Sequence, residues 1–116
     1  DCFVQQGTLE KLTQLAVTTK RPVQATYLMS KPAQATPKDA VSAFAFKVKN
    51  QVRLLGLKRF GLGCTLVGTG MAFPWSAIRS VNLANGDIVE DMKLGLDLNI
   101  AGHPPIYCPC AVVTGC

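Results

Sequence analysis

"NGDIVEDMKLGLDLNIAG", residues 85–102, decides how the last third of this chain is read. From Asp87 onward Ile88, Met92, Leu96 and Ile100 recur as one stripe at helical spacing, Leu94 and Leu98 form another, and Gly102 supplies a C-terminal stop. A helix that is apolar nearly all round is expected to be buried among other elements. Two adjacent acids, Glu90 and Asp91, stand at its head. Asp87 as N-cap with Glu90 three residues on makes a variant capping box, which accounts for one of them. The second gains only about 0.3–1 kcal/mol from the helix dipole. Asp91 is therefore a candidate for chemistry, because burial and neighbouring charge at such a position tune a carboxylate to act as a general base.

Upstream, "GTLEKLTQLAVTT" places Leu9, Leu12, Leu15 and Ala16 on one helical face, with Thr8 as the expected N-cap. "PVQATYLMS" reads as a strand with Val23, Ala25, Tyr27 and Met29 on one face. Thr36 before Pro37 marks a second helix start. Its stripe, Val41, Phe44, Val48, Val52 and Leu55, is expected to lie against a core or a partner. Gly56, Gly61 and Gly63 loosen the chain after it. "CTLVGTGMAFP" then offers two strand-like pieces separated by Gly68 and Gly70, and "PWSAIRSV" a brief helix or turn. "PIYCPCAVVTG" closes as an extended segment in which Pro105 and Pro109 exclude a regular central strand over the whole length. There is no internal repeat. The expected fold class is α/β leaning to α+β, about three helices on a small mixed sheet.

With 116 residues, 48% of them apolar and only 16% charged, the chain fits one domain and argues against disorder. Its formal charge of +5 suits phosphate-bearing partners. Lys47, Lys49, Arg53, Lys58 and Arg59 carry much of the excess without interleaved aromatic stacking residues, so they read as a solvated helix face and nucleic acid is not the expected partner. No apolar run reaches the roughly 18–20 residues of a membrane span, and no targeting segment opens the chain. Asp1 in place of Met, and Cys116 straight after a strand-like run, suggest that both ends are truncation points. Five scattered cysteines suggest a reducing, cytoplasmic setting. His103, Cys108, Cys110 and Cys116 would suit a soft metal if they converged. Cys-x-Cys on a strand, however, points both side chains to one face with no loop to wrap a tetrahedral ion, so zinc is not expected. His103 reads as a loop residue.

"GTGMAFPW" (68–75), then about a dozen residues, "VEDMKLGLDLNIAG" (89–102) and "PIYCPCAVVTG" (105–115) together resemble the acceptor-side half of family-two inverting glycosyltransferases of the GT-A fold, relatives of the processive polysaccharide synthases. "DCFVQQGTLEKL" is similar to the segment just after that family's Asp-x-Asp motif. The resemblance implies a single partial GT-A domain over residues 1–116. It makes Asp91 the catalytic base, Glu90 its neighbour, and Asp1 the last aspartate of the metal-binding motif. Gly68, Thr69, Gly70 and Trp75 would bind the acceptor. The implied partners are a nucleotide-sugar and a saccharide or lipid-linked acceptor, and the implied cofactor is Mg or Mn in the intact parent, not held tightly by this chain.

The resemblance has gaps. The nucleotide-binding half, the Gln-x-x-Arg-Trp motif and the membrane helices of the processive members are not within these residues, so this chain alone is expected to be inactive. Other readings stay open residue by residue: Asp1 as a solvated terminal acid, Gly68 and Gly70 as turn glycines, Trp75 as a half-buried core residue. Apolar surface left by a missing half would favour a homo-oligomer. A different class of function is a stand-alone basic module that binds itself or a protein partner.

Overall fold

The computed structural model describes residues 2–30, 33–81 and 90–115, with Glu90 described by its backbone alone. In chain order the elements are β1 (Cys2–Val4), α1 (Thr8–Thr19), β2 (Val23–Met29), α2 (Pro37–Lys47), a π-helical turn (Val48–Val52), α3 (Arg53–Arg59), β3 (Met71–Ala72), α4 (Trp75–Ile78), α5 (Glu90–Ile100) and β4 (Ile106–Gly115). The architecture is mixed α/β: helices pack on a four-stranded sheet of order β1-β4-β2-β3. β2 and β4 run parallel in the middle, and β1 and β3 flank them antiparallel.

β2 is buried on both faces, which is why Val23 to Thr26 are all inaccessible to solvent. Val23 and Ala25 join Leu12 and Ala16 of α1 and Cys108, Ala111 and Val113 of β4 in the main core. Fully burying an aliphatic side chain such as Leu12 contributes about 1.5–3 kcal/mol. The hydroxyls of Thr26 and Tyr107 share a hydrogen bond, and Tyr107 packs with Leu54 of α3 and Cys64 in a second cluster. β4 takes the central place in spite of Pro109. Its pairing with β2 jumps from Ala25↔Cys108 to Thr26↔Val112, so Pro109 falls in the irregular step, where no ladder N–H is needed.

Three local expectations are corrected. Thr8 does not cap α1: Gly7, at φ 80°, takes that position, while Thr8 is buried and donates its hydroxyl to the Val112 carbonyl at 3.1 Å. Leu9 consequently points to solvent, at 67% exposure. Only Met71–Ala72 of the 64–74 stretch becomes strand. The α2 stripe faces outward. Val41, Phe44, Val48, Val52 and Leu55 are all exposed, and the inner side is instead made by Phe46, edge-on to Tyr27 at 5.0 Å, Asn50, which donates to the Tyr27 carbonyl, and Leu54. Thr36 and Asp39 do form the capping box that starts this helix.

Burial in the Tyr107 cluster has a pH signature. It pushes the Cys64 thiol from 9.0 up to about 12, and desolvation likewise raises Tyr107 and Cys108. The folded state holds these protons after the unfolded chain has released them, so stability is present below pH 9.0 and falls as pH rises toward about 12. The urea midpoint is expected to drop between pH 8 and pH 10; an unchanged midpoint would contradict this burial.

Candidate functional site

α5 meets the rest of the molecule through one stripe. Asp91, Leu94, Gly95 and Leu98 follow the i, i+3, i+4, i+7 pattern of a single helical face. Leu98 is fully buried with Leu66 and Ala77, and Leu94, Met71, Phe73 and Val81 pack around them. A Cβ at Gly95 would stand 3.5 Å from the Leu66 backbone nitrogen, so the helix approaches that segment closely. Met92, Leu96 and Ile100, expected to be inside, lie 49–85% exposed on the opposite face. The Leu94–Leu98 stripe is the buried one, because the 66–81 segment covers only one side of the helix.

Asp91 is the polar member of that inward stripe and is half-buried. Its carboxylate lies over the Gly68–Gly70 loop: an ideal Cβ on Gly68 would be 3.3 Å from Asp91 Oδ2. Glycine thus leaves open the space beside the acid, and its φ of 86° favours glycine on backbone grounds too. Gly70 is held more tightly still. Its φ is 66°, and a Cβ there would come within 3.0 Å of Val113 and 3.1 Å of Ala25.

The loop is braced by a residue that the sequence did not single out. Gln24, fully buried in β2, donates from Nε2 to the carbonyls of Thr69 and Ala25, each at 2.8 Å, and accepts at Oε1 from the Val67 N–H at 3.0 Å. The Ala25 N–H adds a bond to the Gly70 carbonyl at 2.7 Å. A lone glutamine amid Val, Ala, Thr and Leu was the one available hint, since a buried amide has to find partners.

The structure therefore brings Asp91 together with Gly68 of the Gly68–Thr69–Gly70 loop. Trp75, at the start of α4, is 73% exposed, which removes the half-buried core reading. Ala77 of the same short helix packs on Leu98 of α5. Asp1, Asp87, Cys116 and the Glu90 side chain lie outside the described residues, so the capping-box and metal readings that rest on them are not described. Segment 82–89, which leads into α5, also lies outside them. Clefts formed by described residues are found elsewhere: about 400 Å³ beside Cys108 and Cys110, and about 420 Å³ between β2 and α2.

Fold and site together define a mixed α/β unit in which a helix-head carboxylate is set against a glycine loop. Comparison with protein-family models, curated proteins and solved structures finds no match.

Proposed function

We propose that this chain is the acceptor-side part of an inverting glycosyltransferase of the GT-A type, with Asp91 as the base. The observation that carries the reading is the half-buried Asp91 carboxylate standing over Gly68, beside a loop braced from the core by Gln24. In this reading an acceptor hydroxyl approaches along the glycine loop and gives its proton to Asp91. Its oxygen attacks the anomeric carbon of the donor sugar from the face opposite the nucleotide diphosphate, and the configuration inverts. Exposed Trp75 offers an apolar ring for a sugar face.

A hard divalent cation neutralises the diphosphate leaving group in such enzymes. In this reading Asp1 is the last aspartate of the metal-binding motif and supplies only part of the roughly six oxygen ligands such an ion takes. The cation and the nucleotide pocket, in this reading, belong to a longer parent. We place that parent at the cytoplasmic face of the inner membrane. No helix among the described residues is long and apolar enough to cross a membrane. Reading the encoding DNA upstream of Asp1 tests the proposal. The expected result is a βα nucleotide-binding unit ending in Asp-x-Asp; an in-frame start codon just before Asp1 would overturn it.

One observation favours the second reading, a self-associating module. The outward stripe Val41, Phe44, Val48, Val52 and Leu55 is exposed along its whole length. Contiguous apolar surface of this kind marks association sites. Light scattering at micromolar concentration is expected to give a dimer or larger species, and Phe44→Asp with Val52→Asp is expected to return it to monomer. A monomeric mass for the unaltered chain would remove this reading.

A further inference from the structure

Cys108 and Cys110 flank Pro109 at the irregular step of β4, and their sulfurs stand 3.5 Å apart. Residues two apart on a strand share a face, yet these two differ in access: Cys108 is 3% exposed, whereas Cys110 is open to solvent. Both line the cleft of about 400 Å³ bounded by α1, β4 and Lys58 of α3. Lys11, also in the cleft, donates from Nζ to the Cys110 carbonyl at 3.1 Å, which pins a cation beside the pair. Neither Asp91 nor the 68–70 loop lines this cleft, so it is a separate site.

We propose that Cys108 and Cys110 form a thiol–disulfide pair that reacts with anionic low-molecular-weight disulfides of the glutathione type. Access sets the order of events. The Cys110 thiol loses its proton and attacks one sulfur of the disulfide RSSR, breaking the S–S bond and releasing RS⁻, which takes up that proton. The mixed disulfide on Cys110 then lies next to Cys108. The Cys108 thiol, losing its own proton, attacks Cys110 Sγ and expels the second RS⁻, which leaves as RSH. Two protein thiols are oxidised to one disulfide, and RSSR is reduced to two RSH.

The geometry permits closure. Two residues of extended strand span about 6.6 Å between Cα atoms at a rise of roughly 3.3 Å per residue, within the range of about 4.4–6.8 Å that disulfides bridge. A disulfide also holds its Cβ atoms about 3.5–4.5 Å apart, so the irregular backbone around Pro109 has to bend as the sulfurs close from 3.5 Å to about 2.05 Å. Burial raises the Cys108 thiol above its ordinary range, so Cys108 is a poor first nucleophile. Its attack becomes effective once the mixed disulfide is held beside it, because proximity replaces a bimolecular encounter. Lys11 and Lys58 favour an anionic disulfide over an uncharged one.

The test uses the full chain carrying Cys116→Ser, equilibrated across ratios of reduced to oxidised glutathione, quenched in acid and labelled with N-ethylmaleimide in denaturant. The tryptic peptide 94–116 then contains Cys108 and Cys110 as its only cysteines. It is expected to carry two labels at the reducing end and none at the oxidising end, both lost together. In Cys108→Ser, Cys110 is expected to keep a glutathione adduct; in Cys110→Ser, Cys108 is expected to keep its label. The proposal is overturned if the peptide retains both labels throughout, or stops as a Cys110 adduct with Cys108 still labelled. That measurement leaves both cysteines in place and so holds even if either serine variant fails to fold. Replacing Lys11 and Lys58 by Glu is expected to slow oxidised glutathione about tenfold relative to bis(2-hydroxyethyl) disulfide. An unchanged ratio of the two rates would overturn the role of anion attraction.

Discussion

Asp91→Asn in the glycosyltransferase parent proposed above is expected to lower sugar transfer by about 10²–10⁴-fold, the usual contribution of a positioned general base. Asparagine keeps the size and shape of the side chain over Gly68 and removes its capacity to take a proton. The loss should therefore fall on kcat, with KM for the acceptor nearly unchanged. Folding offers no competing explanation. A half-buried carboxylate in the first turn gains at most about 2 kcal/mol from the helix dipole, and α5 is anchored farther along by Leu94 and Leu98. The measurement is steady-state transfer from a nucleotide-sugar to its acceptor, alongside thermal unfolding of the same samples. A variant that retains wild-type kcat would remove Asp91 from the chemistry, whatever the fate of the glycosyltransferase reading as a whole.

Gln24→Leu in β2 is expected to destabilise the loop that faces Asp91. Leucine fills nearly the same volume but orphans the Val67 N–H and the Thr69 carbonyl, both held by the glutamine amide in a part-buried setting. Each buried polar group left without a partner costs about 1–3 kcal/mol. The sum, eased by local relaxation, comes to about 3 kcal/mol, which lowers the melting temperature of a domain this size by about 10 °C or more. Because the same bonds set the loop, the variant should also loosen the 67–70 amides, read as faster hydrogen exchange there than in α1. A melting temperature within about 2 °C of wild type would mean that the brace contributes little.

Much of the secondary structure was legible because its causes are local. The Thr36–Pro37 start, with Asp39 completing the capping box, is chemistry among four neighbouring residues. The β-branched and aromatic run of β2 and the periodicity of α1 and α5 are likewise written within single segments. Facing was not legible. The Val41 to Leu55 stripe announces that one side of α2 and α3 is apolar without saying what covers it. Phe46, Asn50 and Leu54 meet the sheet instead, and that choice is made by the strands they pack on. Thr8 shows the same limit. A residue type that caps helices also makes a good buried hydroxyl when a carbonyl such as that of Val112 lies 3.1 Å away.

The order of residues is enough to establish the kind of elements, mixed helices and strands, and to single out Asp91 as an acid at a helix head. Folding in three dimensions was needed to pair β2 with β4 in parallel across more than 75 intervening residues, to set Asp91 over Gly68, and to let the buried Gln24 amide hold that loop from within the core. The division has a physical cause. Caps and hydrophobic periods act over a few residues of chain, whereas which buried amide meets which carbonyl is settled when distant segments compete for the same space and few buried polar groups can be left without a partner.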